Sequence, residues 1–248
     1  MNIYLVNILT FVVAILFGYL LGAIPFGIVI GKVFFHKDIR DYGSGNSGGT
    51  NAGRVLGKKI GLLVIILDML KTVAAIMVVW AVLTFTSLHS YYEFAENPLI
   101  FQDLKPLYYW ATGLFAAIGH CWPVYIKFKG GKAAACLMGM TTMVSWGGFI
   151  AGLFYLVALK LKKMVSLSSI LSGLAQSLFA WIMFALVIGL NLNPSFFAWT
   201  FGLGSQGIAV SFWYAVCVTI VSVLLVARHH ANIARMKEGK ESKITWMK

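Results

Sequence analysis

Charge is scarce in this chain of 248 residues: only 11% are Asp, Glu, Lys or Arg, where a soluble domain carries about a quarter. With 60% of residues hydrophobic, an ordinary water-exposed globule is excluded. Acids are scarcest, eight against 20 Lys and Arg, so paired-carboxylate chemistry and carboxylate cages for cations are poorly supplied. The three cysteines, Cys121, Cys136 and Cys217, form no C-x-x-C pair or metal spacing. They read as structural thiols, and neither a disulfide framework nor a metal site is expected. No nucleotide P-loop is present either. Gly53 to Gly57-Lys58 has the wrong gap, and Lys59 stands where a magnesium-binding Ser or Thr belongs. No nucleophile–base–orienter set stands out, and no cofactor is implied. The first apolar run, from Ile3 to Ile30, has no basic residue before it and is too long for a cleavable signal.

Several uncharged apolar runs approach or exceed the ~20 residues that a spanning helix needs. The expected class is an all-α integral membrane protein with seven transmembrane helices in a single domain, 1–248. The helices are read at Ile3–Gly31, with Pro25 and Gly27 kinking or breaking its end, and at Ile60–Phe85 and Leu107–Cys121. Two shorter ones in 133–159 meet at Ser145-Trp146-Gly147-Gly148, and the last two are Ile170–Leu190 and Gly207–Ala227. Alternation puts 18 of the 20 basic residues on one face: six in 32–59, three in 123–132, three in 160–165 and six from 228 onward. The positive-inside rule makes that face cytoplasmic, with the N-terminus outside and the C-terminus cytoplasmic. The charge is therefore a topology signal, and no nucleic-acid partner is expected.

Inside the second helix, Asp68 and Lys71 share one face. Two readings stay open for them, a functional intramembrane pair and an ion pair that locks helix packing. Lys127, Lys129, Lys160, Lys162 and Lys163 read as interfacial anchors.

The most informative stretch runs from Gly43 to Arg54, a polar segment between two apolar ones with five glycines. It is read as a loop. Glycines let backbone N–H groups approach an anion, and an arginine forks onto phosphate oxygens. Ser44, Gly45, Asn46, Gly49, Thr50, Asn51 and Arg54 are its candidate phosphate ligands. On the same face lie Gly130, Gly131 and Lys132, then Ser166 and Ser168, then His229 and Asn232. Cations dominate, so the site would bind phosphorylated compounds with little acid–base help. Acyl transfer from an already activated donor fits; a transporter or binder of phosphate or organic phosphates is the alternative.

Four segments, GSGNSGGTNAGR, GHCWPVYIKFKGGK, VSLSS and HHANIARMKEGKE, occur in the order in which they mark the bacterial acyl-phosphate:glycerol-3-phosphate acyltransferases, and the chain resembles that family. The resemblance implies a multi-pass enzyme of the bacterial inner membrane with its site on the cytoplasmic face. It would move a fatty acyl group from acyl phosphate to the 1-hydroxyl of glycerol 3-phosphate. The products would be lysophosphatidic acid and phosphate, made without metal or cofactor among membrane lipids, and a partner enzyme would supply the acyl phosphate. The carried-over catalytic residues are Ser44, Arg54, Lys132, Ser166, His229 and Asn232. Three departures stand out. His230 replaces an arginine, Ala133-Ala134-Ala135-Cys136 replaces Gly-Val-Ala-Thr, and Gly49 replaces an alanine, the last expected to be harmless. His120 has the chemistry of a general base but, at a helix end, is expected instead to bond a free carbonyl.

Overall fold

The computed structural model describes residues 3–88 and 104–244. The acids Glu93, Glu96 and Asp103 of the expected loop 86–106 lie outside the described residues. The rest is all-α: α1 Ile3–Gly22, α2 Phe26–Phe35, α3 Gly49–Val55, α4 Lys58–Phe85, α5 Leu104–Cys121, α6 Ala134–Thr142, α7 Ser145–Lys162, α8 Val165–Gly189, α9 Phe212–Arg228 and α10 His230–Lys237. No strand occurs among the described residues, only one antiparallel bridge between Val144 and Ala198.

Among the described residues three stretches are long and apolar enough to cross a bilayer alone: α1 with α2, α4 and α8. A fourth follows if α9 and α10, bent by 53° at His229, are taken together. Outward faces carry large apolar side chains such as Val13, Leu62 and Leu178, the pattern of helices solvated by lipid. Hydrocarbon gives no hydrophobic force between helices, so close backbone contact must hold them. Along the α1–α5 seam a Cβ on Gly18 or Gly22 would strike the carbonyl of Thr112 or Ala116.

Pro25 breaks the first span outright, because it cannot donate and clashes with the preceding turn. The two short helices of 133–159 are α6 and α7, parted at Met143-Val144. Four local expectations are corrected. Gly49 to Val55 is helical although glycine disfavours helix. Tight packing on α4 accounts for it, since a Cβ on Gly49 would collide with Ile65 and lie 2.8 Å from the Gly61 carbonyl. Helix α8 starts at Val165, so Ser166 and Ser168 sit in its first turn. Helix α9 starts only at Phe212, and the tail continues as α10.

The main core gathers α4, α5, α6, α8 and α9 around Trp110, Tyr109 and Tyr214. Residues 191–211 fold over one end of it. There the Tyr109 hydroxyl accepts from Ala209 N–H at 2.8 Å, and Trp110 and Trp80 indoles donate to the Ala209 and Gln206 carbonyls. A smaller core of Ile28, Ile39, Ala52 and Val64 supports the glycine-rich segment.

Candidate active site

The chain turns back on itself after α5. Gly130 and Gly131 donate their N–H groups to the Cys121 and His120 carbonyls at 3.2 and 2.9 Å. Gly131 lies so close to the His120 imidazole that a Cβ there would overlap it. Ala133 follows in the left-handed region, φ 62°, fully buried, which costs an L-residue about 1–2 kcal/mol. A glycine, which the resemblance implies at this position, would hold that conformation without the cost.

This strap presents Lys132 to the end of α9 and α10. Its Nζ donates to Asn232 Oδ1 at 2.5 Å. The Asn232 amide donates to Ser166 Oγ at 2.6 Å and to Glu241 Oε1 at 2.8 Å. Ser166 Oγ donates to the same Glu241 oxygen at 2.6 Å, and Arg235 Nε reaches the other at 2.9 Å. Glu241 is buried, and these hydrogen bonds outweigh its burial to hold the carboxyl below its usual range. Arg228 closes the strap, donating to the Gly131 and Gly130 carbonyls at 3.2 and 3.3 Å and lying over Trp122. His230 is exposed with its Nδ1 on the Ala227 carbonyl at 3.1 Å, while Arg228 and Arg235 act on Lys132.

Burial is the largest influence on Lys132 and lowers its ammonium to about 8. Glu241 opposes the shift, while Arg235, Arg54 and Arg228 add to it. Arg54 thus acts electrostatically on Lys132 from the last turn of α3, where it is exposed and unpaired among the described residues. His229 is buried and neutral, pushed down to about 4 chiefly by burial. Its Nδ1–H donates to the Leu225 carbonyl at 2.8 Å, which leaves the Nε2 lone pair as an acceptor.

Lys132, Ser166, His229 and Asn232 therefore converge, with Arg54 in electrostatic reach. The glycine-rich segment is instead organised from within. Buried Asn51 accepts from Ser44 N–H and Oγ at 2.8 and 3.1 Å and donates to the Ile39, Tyr42 and Asn46 carbonyls. Asn46 Oδ1 accepts from Gly48 N–H, and Gly45 N–H is bound to the Tyr42 carbonyl. The N–H groups of Gly45, Gly130 and Gly131 are thus engaged inside the protein. Ser168 likewise turns inward, its hydroxyl on the Met164 carbonyl.

Three elements meet beneath the strap at a buried polar cluster. Lys71 Nζ pairs with Asp68 Oδ1 at 2.7 Å, donates to the Ile24 carbonyl at 2.8 Å and lies 3.1 Å from His120 Nδ1, which is itself 3.5 Å from the same Asp68 oxygen. Of the two readings of Asp68 and Lys71, this geometry supports the packing ion pair. His120 Nδ1 meets the Lys71 ammonium rather than a helix-end carbonyl, and a Cβ on Gly131 would strike its Nε2. Cys136, in the place of the family's threonine, keeps a weak thiol contact with the Asp68 carbonyl at 3.9 Å. Overpacking costs about 1–3 kcal/mol, so Gly131→Ala is expected to lower thermal stability by that much. In combination with His120→Ala the loss should be smaller than the sum of the two. Strict additivity would mean that ring and glycine are not in contact.

A family model described as glycerol-3-phosphate acyltransferase matches residues 12–239. A glycerol-3-phosphate acyltransferase of Listeria monocytogenes is 37% identical over 236 residues, 94% of this chain and 96% of the relative. One from Staphylococcus aureus is 37% identical over 238 residues, 95% and 98% of the two chains. Among solved structures, PlsY (YgiH), an integral membrane glycerol 3-phosphate acyltransferase, superposes in its glycerol 3-phosphate form with TM-score 0.71 at 29% identity, over 95% of this chain and 96% of that one. Its lysophosphatidic acid form gives 0.68 at 28% identity, over 95% of both.

Proposed function

The chain belongs to the glycerol-3-phosphate acyltransferase family, and from that membership we propose one specific reaction: transfer of a fatty acyl group from acyl phosphate to the 1-hydroxyl of glycerol 3-phosphate. It is an integral membrane enzyme that acylates glycerol 3-phosphate. Donor, position and products belong to the proposal. The hydroxyl oxygen bonds to the acyl carbonyl carbon, the bond from that carbon to the phosphate oxygen breaks, and the hydroxyl proton leaves on the phosphate. Products are lysophosphatidic acid and inorganic phosphate.

The observation that carries this reading is the charge around Lys132. Four cations, Lys132, Arg54, Arg228 and Arg235, face one carboxylate, Glu241, that is already hydrogen-bonded. Such a seat holds phosphate and favours charge that develops as phosphate departs. Asn232 and Ser166 fix the lysine, and the His229 Nε2 lone pair is suited to accept from a glycerol hydroxyl. Arg54, with the hydroxyls of Ser44 and Thr50, completes the seat. Gly45, Asn46, Gly49, Asn51, Gly130 and Gly131 shape it. A departing phosphate that takes the proton accounts for the lack of an enzymic base. The proposed topology keeps seven crossings with the basic face cytoplasmic. No observation favours the transporter alternative.

Donor choice tests the proposal. With labelled glycerol 3-phosphate, palmitoyl phosphate is expected to yield lysophosphatidic acid, and palmitoyl-CoA to yield none above background. Comparable rates with both would overturn the donor assignment. A pH profile tests the role of Lys132. Its ammonium, lowered to about 8, is charged below that pH and neutral above it. In the free enzyme kcat/KM should therefore fall as pH rises through about 8, and Lys132→Arg should move that limb upward by more than a unit. An unmoved limb would assign the titration to another group.

A further inference from the structure

Two cavities adjoin the segment 125–129 ahead of the strap, and neither is lined by Arg54, Lys132, Ser166 or Asn232. One, of about 520 Å³, is apolar. It runs along α2 over Ile28, Val29 and Val33 and ends on Ile126. The other, of about 590 Å³, is lined by Lys32, Arg40, Lys127 and Lys129, with Asp41 the single acid in its wall. Lys32, Tyr125 and Ile126 line both, so the two are halves of one continuous seat.

The charge of the polar half is positive. Asp38 lies beside it and takes Lys32 at 3.3 Å and Arg40 at 2.7 Å. Those bonds, led by the one from Arg40, hold its carboxyl far below the ordinary range. Four cations against Asp38 and Asp41 leave a net +2. Lys127 and Lys129 are exposed and have no side-chain partner among the described residues. Around them Tyr125 and Phe128 are 56% and 55% exposed, and on α2 Val33 is 59% exposed. Exposed aromatics interleaved with lysines mark the boundary between hydrocarbon and headgroups. Lys127 and Phe128 both hold a left-handed backbone, φ 57° and 60°, fixed by Phe128 N–H on the Pro123 carbonyl at 3.0 Å. Two successive non-glycine residues in that region are uncommon, and the turn they make sets Lys127 and Lys129 on the cavity wall.

We propose that this double cavity binds one anionic glycerophospholipid of the surrounding bilayer, distinct from the substrates. An acyl chain lies along α2 in the apolar half. The headgroup phosphate sits between Lys127, Lys129 and Lys32. The net charge selects an anionic over a zwitterionic headgroup, and a membrane lipid is the anionic amphiphile at hand on a surface made of exposed Val33, Tyr125 and Phe128. An acyl phosphate would have to bring its carbonyl to Lys132 and Arg54, which line neither half. Gly45 also lines the polar half, so a bound headgroup rests against the segment that carries Ser44.

The test is lipid retention by the full chain in detergent, followed by native mass spectrometry during titration with dioleoyl phosphatidylglycerol or dioleoyl phosphatidylcholine. One adduct is expected, retained at least tenfold better for phosphatidylglycerol. Near a membrane surface each lysine contributes about tenfold or less, so Lys127→Gln with Lys129→Gln should weaken that adduct on the order of tenfold or more. Lys160→Gln with Lys162→Gln, an exposed basic pair elsewhere, should leave it intact. All four lysines are exposed, so folding is not at risk. Equal retention of the two lipids, or equal weakening by both variant pairs, would overturn the site. So would a raised KM for palmitoyl phosphate in the Lys127/Lys129 variant with lipid retention unchanged, which would assign the seat to the donor. Binding is read without turnover, so the outcome does not depend on the proposed reaction.

Discussion

Lys132→Ala is expected to lower kcat/KM by on the order of 10²–10³-fold, while the protein still folds and remains monodisperse. A preorganised charge aimed at a leaving phosphate is worth ~2–4 kcal/mol in the transition state. The geometry explains why the loss falls on rate. Lys132 is the end of a chain in which Glu241 orients Ser166 and Asn232, and Asn232 orients the ammonium. Removing the lysine leaves that chain satisfied apart from one buried amide oxygen, so stability should fall by about 1–3 kcal/mol. Asn232→Ala acts through the same ammonium. In the Lys132→Ala background it should add little, a non-additivity expected of groups that act as a unit. Full additivity in steady-state kinetics would show that the two act separately.

Lys71→Met is expected to have the largest effect on stability. Asp68 is buried, and the variant would leave its carboxylate with only the His120 imidazole, at 3.5 Å, beside it. Breaking a buried pair in this way costs about 3–5 kcal/mol. His120 and the Ile24 carbonyl would lose the ammonium as well, so α4, α5 and the break between α1 and α2 would loosen together. Replacing both partners, Asp68→Leu with Lys71→Met, should be less harmful than the single change, because no buried charge is left. Thermal unfolding in one detergent measures both variants. A shift below about 1 kcal/mol for Lys71→Met would show that Asp68 finds a proton or water instead.

The long helices are legible because hydrocarbon length and charge exclusion act residue by residue, and Pro25 announces its break. Ser145 to Gly148, read as the meeting point of two helices, instead form the first turn of α7, and the break lies before them at Met143-Val144. Helix α3 was not legible. Five glycines between 43 and 54 argue for a loop, and only contact with Gly61 on α4 makes Gly49 to Val55 helical. Glu241 was missed for a related reason. It lies among Lys237, Lys240 and Lys243, where it reads as solvated charge, yet its partner Ser166 is 75 residues away. His120 was recognised as chemically able but not as the partner of Lys71, a contact across 49 residues. The four polar segments were visible as motifs. That Lys132, Asn232, Ser166 and Glu241 form one hydrogen-bonded chain required the fold, because no local spacing encodes it.

The most direct measurement is phosphate release by the purified protein in lipid, given palmitoyl phosphate and glycerol 3-phosphate, with each omitted in turn. The expected result is release that needs both substrates and matches lysophosphatidic acid one to one. Release at full rate from palmitoyl phosphate alone, or none from folded protein with both present, would contradict the proposed transfer.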